Sequence, residues 1–113
     1  MEISERKVGP VTVIDLKGET HAPGQFAAFQ EVVRERVAAG ERRFVVNLSG
    51  CGWIDSSGLG ELIKSLIHVM RQGGMLKLAA VPQKVRAILT VTNLTEVFDL
   101  YDDESLAVES FRA

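Results

Sequence analysis

The chain has 113 residues and a mass of 12.4 kDa, which is the size of one ordinary domain and excludes a large multidomain enzyme. Apolar residues make up 46% and charged residues 25%, so the composition is that of a folded globular protein rather than a disordered one. Thirteen Lys and Arg against fifteen Asp and Glu leave a net charge of -2, which disfavours a nucleic-acid partner.

Thiol and imidazole ligands are scarce in this chain. Cys51 is the only cysteine and there are two histidines, so we expect no internal disulfide, no metal site and no other cofactor. The N-terminus is charged where a signal peptide would be apolar, and no later run approaches the length of a membrane span. We therefore expect a cytoplasmic protein that does not insert into a membrane.

Five segments have the patterns of β-strands. Residues 2–8 alternate weakly and lead through a Gly-Pro turn into residues 11–16, which predicts an antiparallel strand at the edge of a sheet. Residues 11–16 and 44–48 are apolar on both faces, as is typical of central strands covered by helices. Residues 75–81 and 97–101 are predicted as two further strands.

Four segments have helical patterns. Residues 24–39 carry an apolar side chain every three or four positions. A second helix starts within residues 55–58 and stops at Gly73-Gly74, a third follows Pro82, and a fourth follows the acidic residues 102–104. The apolar stripe of the second helix is predicted to consist of Leu59, Leu62, Ile63, Leu66, Ile67 and Met70.

The alternation of strands and helices predicts the fold class. We expect an α/β fold with a mixed, mostly parallel sheet of about five strands, an antiparallel edge strand and four helices. Binding sites in such sheets lie beyond the carboxyl ends of the strands. Residues 18–24 and residues 51–60 should therefore share one edge of the sheet and form the surface that a partner contacts.

The segment Ile54-Asp55-Ser56-Ser57-Gly58-Leu59-Gly60 is the most informative part of the sequence. Asp55 or Ser56 can cap the second helix, which is worth ~1 kcal/mol. A helix N-terminus also offers unpaired N–H groups and a partial positive charge, so a phosphoserine could be accommodated there. The residues by themselves leave both interpretations open.

This segment resembles the STAS domain family, and the bacterial anti-sigma factor antagonists in particular. The resemblance extends over nearly the whole chain, including Leu16-Lys17-Gly18-Glu19 and Asn93-Leu94, and implies a single STAS domain over residues 1–113. The resemblance also implies a function.

The function implied by the resemblance is partner switching. In its unphosphorylated form such an antagonist binds an anti-sigma factor that is a serine kinase, and this releases the sigma factor. Phosphorylation by the kinase ends the binding, and a serine phosphatase reverses it.

The resemblance implies roles for individual residues. The phosphorylated serine of the family directly follows the Asp of the motif, which is Ser56 here, with Ser57 as the alternative. We expect the partner-binding residues to be Glu19, Thr20, His21, Trp53, Asp55, Ser56, Ser57, Gly58 and Leu59. Three positions, in two segments, depart from the usual pattern. Asn47 stands where many relatives have an Asp, which removes a carboxylate expected near the serine, and Thr20-His21 stands where many have Leu-Asp.

Catalytic interpretations fit the sequence less well. No G-x-S-x-G pattern surrounds Ser56 or Ser57, and no phosphate-binding loop of the G-x-x-x-x-G-K-[ST] type is present. His68 lies ~16 Å along the helix from Ser57, too far to act as its base, whereas His21 could approach it. We expect a monomeric binding protein rather than an enzyme. The alternative function is a structural or transport-associated STAS subunit without a phosphorylation cycle.

Overall fold

Strands and helices alternate in the predicted order. The computed structural model describes residues 1–19 and 26–112, and within these the chain forms five strands and four α-helices. The strands are β1 (Glu2–Val8), β2 (Val11–Glu19), β3 (Arg43–Trp53), β4 (Met75–Ala79) and β5 (Leu100–Tyr101). The helices are α1 (Ala27–Ala38), α2 (Ser56–Arg71), α3 (Gln83–Val91) and α4 (Glu104–Ser110), with a 3-10 turn at Leu94–Glu96.

The strands form one sheet in the order β1-β2-β3-β4-β5. β1 is antiparallel to β2, and the remaining neighbours pair in parallel. This confirms the predicted mixed sheet with an antiparallel edge strand. No helix in the described part of the chain is both long and apolar enough to cross a membrane.

The last strand is shorter than predicted. The expected strand over residues 97–101 is reduced to Leu100–Tyr101, because the preceding chain first completes a tight turn. In that turn the backbone N–H of Phe98 donates to the carbonyl of Leu94 at 3.0 Å. The turn buries the Phe98 side chain in the core. Phe98 was predicted to be part of the strand, but it packs in the core just before the strand begins.

The two central strands are longer than predicted. Strand β2 continues to Glu19 and β3 continues to Trp53, with Lys17 opposite Gly50 and Glu19 opposite Trp53. A Cβ atom at Gly50 would lie 2.8 Å from the Lys17 Cγ, so this approach requires glycine. Gly50 therefore permits the sheet to extend beyond residue 48, where the predicted strand ended.

The two faces of the sheet are covered unequally. Helices α1, α2 and α3 pack on one face around a large core, to which they contribute Phe29, Leu62 and Leu89. On the other face α4 packs alone against a smaller cluster that includes Val45 and Ala107. Burial of this apolar area is the main force that holds the helices on the sheet.

The apolar stripe of α2 is narrower than predicted. Leu59, Leu62 and Leu66 are buried, but Ile67 is 42% exposed and Met70 is 53% exposed. Both side chains lie on the side of α2 that turns away from the sheet, so only part of the predicted stripe is buried. They form an apolar strip on the surface of the helix.

A polar network fastens α4 to the sheet. Arg6 on β1 donates to both carboxylate oxygens of Asp15 on β2, at 2.9 and 3.2 Å, and also to Glu104 of α4. The side-chain amide of Asn47 donates to Glu104 at 3.2 Å. Asn47 thus points to the α4 face, whereas α2 covers the opposite face. The expectation that residue 47 lies near the serine motif is wrong, because side chains alternate between the faces of a strand.

We predict that Arg6→Met destabilises the protein in a pH-dependent way. The Arg6 hydrogen bonds hold the pKa of the Glu104 carboxyl below its usual range. The stabilisation by these bonds is therefore complete at a pH above the pKa of Glu in the unfolded chain. It is lost as the pH falls through the lower pKa that Glu104 has in the folded protein. Because Arg6 is partly exposed, we expect a loss of about 1 kcal/mol at neutral pH that shrinks below about pH 4. Urea unfolding of the parent and of Arg6→Met, from neutral pH to below about pH 4, measures the difference in their free energy of unfolding.

Arg112→Met is the matched control for this substitution, because the Arg112 guanidinium is 3.9 Å from Glu109 at an exposed site. It should change the free energy of unfolding by less than about 0.5 kcal/mol. An Arg6→Met effect that stays constant down to acidic pH would show that Glu104 is not the responsible partner.

Candidate partner-binding site

The candidate site lies at the carboxyl edge of β2 and β3. Glu19 ends β2 and pairs in register with Trp53 at the end of β3. The Glu19 side chain crosses over Gly52, where a Cβ atom would be 3.0 Å from a carboxylate oxygen. The absence of a side chain at Gly52 therefore lets an acidic group lie flat across β3, next to the aromatic residue.

Trp53 and Ile54 have opposite environments although they are neighbours. Ile54 is completely buried and anchors the end of β3 in the core, whereas Trp53 remains 37% exposed. A half-exposed tryptophan at a sheet edge offers a large, rigid contact area of the kind that anchors protein interfaces.

Asp55 caps helix α2. Its carboxylate oxygen Oδ1 accepts a hydrogen bond from the backbone N–H of Gly58 at 2.9 Å and another from the Ser57 hydroxyl at 2.8 Å. The residue has extended backbone dihedrals, as an N-cap requires. Of the two caps left open by the sequence, the structure has Asp55.

The two serines of the motif differ in accessibility. Ser57 is half-buried and its hydroxyl is occupied by Asp55. Ser56 is the first residue of α2 and is exposed, and its hydroxyl makes no hydrogen bond within residues 1–19 and 26–112. The first turn of α2 contains no acidic side chain, and the carboxylate bound at the helix end is that of the N-cap, Asp55.

Other members of the predicted partner surface are distributed differently. Gly58 and Leu59 are buried, so they support the helix start and offer little area to a partner. That these two residues contact a partner stays a prediction. Thr20 and His21 lie outside the described residues.

Cys51 lies directly behind this edge, and its thiol is unreactive. The side chain is fully buried. Burial raises the pKa of the thiol, and its Sγ lies 3.8 Å from the carbonyl oxygen of Trp53. The thiol therefore stays protonated, which is the unreactive form.

The described residues bring no catalytic set together at this edge. His68 lies on α2 with Ser57, and eleven residues of helix between them correspond to ~16 Å along its axis. Within residues 1–19 and 26–112, no group of three or more His, Cys, Asp and Glu side chains is placed to hold a metal ion. What the edge presents is an exposed hydroxyl at a helix end, flanked by an aromatic and an acidic side chain.

Comparisons with known proteins identify relatives. Residues 3–102 match the family model described as "Mlab, STAS domain". A STAS-domain containing protein of Pseudomonas aeruginosa is 36% identical over 66 residues, which is 58% of this chain and 65% of that one, just under two thirds of its length. A candidate anti-sigma factor antagonist of Thermotoga maritima is 32% identical over 81 residues, which is 72% of each chain.

Solved structures share the fold over almost the full length. The crystal structure of a candidate anti-sigma factor antagonist from Thermotoga maritima has a TM-score of 0.87 at 25% identity, covering 98% of this chain and 95% of that one. The phosphorylated form of SpoIIAA, a cell fate determinant of Bacillus, has a TM-score of 0.75 at 18% identity over 97% of this chain and 99% of that one. At that identity the second likeness shows the fold alone.

We predict that the Asp55 cap stabilises the domain measurably. Asp55→Ala removes the bond to the Gly58 N–H and leaves the Ser57 hydroxyl without this acceptor, so the free energy of unfolding should fall by about 1 to 2 kcal/mol. Ser56→Ala is the control at the adjacent position, and it should change stability by less than about 0.5 kcal/mol because its hydroxyl is exposed. Urea unfolding followed by the fluorescence of the single tryptophan compares them. Equal effects of the two substitutions would contradict the cap.

Proposed function

The chain belongs to the STAS domain family, and we propose that it acts as an anti-sigma factor antagonist by partner switching. In this proposal the unphosphorylated chain binds an anti-sigma factor that is a serine kinase, and this binding frees the sigma factor. Phosphorylation of Ser56 by that kinase ends the binding, and a serine phosphatase restores it. The chain itself is a substrate and a binding module and catalyses no reaction.

The observation that carries the proposal is the state of Ser56. Its hydroxyl is exposed at the first position of α2, whereas the adjacent Ser57 hydroxyl is bonded to Asp55. A kinase needs a serine whose oxygen can enter another active site, and Ser56 meets this requirement without rearrangement of the domain. A phosphate on Ser57 would have to displace its 2.8 Å contact with a carboxylate, which like-charge repulsion opposes.

The surroundings of Ser56 support a role in protein binding. Trp53 supplies exposed aromatic area and Glu19 supplies a negative charge across Gly52. A phosphate at Ser56 would add a charge of about -1.5 to -2 to this surface. In a close-packed interface the added charge and bulk would cost several kcal/mol through repulsion and desolvation, and every 1.4 kcal/mol is a tenfold loss of affinity.

The relatives support the same function. One protein with 32% identity over 81 residues is a candidate anti-sigma factor antagonist. SpoIIAA, whose fold this chain shares, is named an anti-sigma factor antagonist and has been solved in unphosphorylated and phosphorylated forms. A phosphorylation cycle is therefore compatible with this fold.

We predict that Ser56 is the phosphorylated residue. The kinase for the test is the one that co-purifies with the unphosphorylated chain, and incubation with ATP followed by mass spectrometry should locate one phosphate on Ser56. Ser56→Ala should abolish the modification, and Ser57→Ala is the matched control that should retain it. Phosphate found only outside both serines would contradict the proposal. A stable complex without any phosphorylation would favour the transport-associated alternative.

We also predict that Ser56→Asp weakens binding of the same kinase by at least about tenfold while the protein stays folded. Ser56→Ala should bind like the unphosphorylated parent. Ser105→Asp is the control, because it adds the same charge at an exposed position of α4, on the other face of the sheet. Calorimetric titration gives the dissociation constants. If Ser105→Asp weakens binding more than Ser56→Asp does, the interface lies on the α4 face instead.

A further inference from the structure

A furrow runs between α1 and α2, away from the edge that carries Ser56. It consists of two adjoining cavities of about 400 and 310 Å³ that share Arg34 and His68 in their walls. Since both cavities share these walls, they form one continuous depression. Its central walls are formed by residues one helical turn apart, Gln30 and Arg34 on α1 and Lys64, Ile67, His68 and Arg71 on α2.

The furrow is cationic, and its charges are largely unneutralised. No Asp or Glu occurs among its lining residues. Arg34 and Arg71 form no ion pair within the described ranges 1–19 and 26–112. Lys64 has only a 3.5 Å contact with Glu61 on its own helix. This concentration of positive charge is local, because the whole chain has a net charge of -2.

Apolar surface adjoins the cations. Ile67 lines the furrow, and Met70 follows it by three positions on the same helix; both are about half-exposed. Isolated exposed apolar residues are common on proteins, but here two lie next to a cationic depression. The combination offers a partner both charge pairing and a small area of apolar contact.

Shape and chemistry select the occupant. From Lys64 to Arg71 the wall extends ~10 Å, the length of about three residues of extended chain. Guanidinium groups such as those of Arg34 and Arg71 bind carboxylates with two parallel hydrogen bonds. We propose that the α1–α2 furrow binds a short acidic segment of a partner protein that also presents an apolar side chain.

This surface is separate from the phosphorylation site. Ser56 starts α2, and His68 lies twelve residues later, which is ~18 Å along the helix. The furrow therefore remains accessible whichever charge Ser56 carries. Binding there does not depend on the proposed switch, so either proposal can fail without the other.

Fluorescence anisotropy with a labelled peptide of alternating Glu and Leu tests the inference. The peptide should bind the full chain saturably at low ionic strength, weaken with added salt, and bind Ser56→Asp with the same affinity. The double variant Arg34→Gln/Arg71→Gln should bind about tenfold more weakly. The matched control is Lys84→Gln/Arg112→Gln, which removes two exposed cations outside the furrow and should leave affinity unchanged. A Gln-Leu peptide should not bind.

Three outcomes would overturn the inference. The first is the absence of saturable binding of the Glu-Leu peptide to the parent chain. The second is an equal loss of affinity in both double variants while circular dichroism shows both to be folded, which would indicate general charge attraction. The third is sedimentation with phosphatidylglycerol vesicles that requires Arg34 and Arg71 while the peptide fails to bind, which would assign the furrow to a membrane surface.

Discussion

One carboxylate determines the geometry of the candidate site. Asp55 Oδ1 accepts hydrogen bonds from both the Gly58 N–H and the Ser57 hydroxyl, so a single oxygen starts helix α2 and turns Ser57 inward. Ser56 precedes the first capped N–H and is left facing solvent. Two chemically identical side chains thus become distinct because one lies within reach of the cap and the other does not.

The position of that carboxylate depends in turn on how β3 ends. Ile54 is buried directly before Asp55, which fixes the exit of the strand in the core. Before it, Gly50 and Gly52 allow the side chains of Lys17 and Glu19 to lie across the strand, so that pairing between β2 and β3 continues to Trp53. The aromatic residue, the acidic residue and the helix start are therefore parts of one rigid extension of the sheet.

Sequence patterns predicted the features of the fold that depend on the periodic spacing of apolar residues. The order of elements, the antiparallel edge strand and the burial of Phe29 and Leu62 follow from apolar spacing, because one face of each element must be covered. The start of α2 within residues 55–58, with Asp55 or Ser56 as its cap, followed from cap chemistry. Each of these features depends on residues that are close together in the sequence, so a short segment is enough to predict it.

The features that the sequence did not predict depend on neighbours distant in the chain. The glycines of β3 indicate a loop until Lys17 and Glu19 are placed beside them. Ile67 has the spacing of a core residue, and only the packing of the whole layer leaves it exposed. The cationic furrow joins Arg34 on α1 with Arg71 on α2, two residues that are 37 positions apart in the sequence.

The same geometry indicates how a phosphate on Ser56 would act. Near the first turn of a helix an anion is stabilised by about 0.3 to 1 kcal/mol, and the Asp55 carboxylate that caps the same helix end opposes this effect. The added charge should therefore change the stability of the isolated domain by less than about 1 kcal/mol. Within a desolvated interface no such compensation exists, and the cost rises to several kcal/mol. The partner switching proposed for this chain would therefore require no second conformation of the domain, because the difference in free energy would arise at the contact surface with the partner.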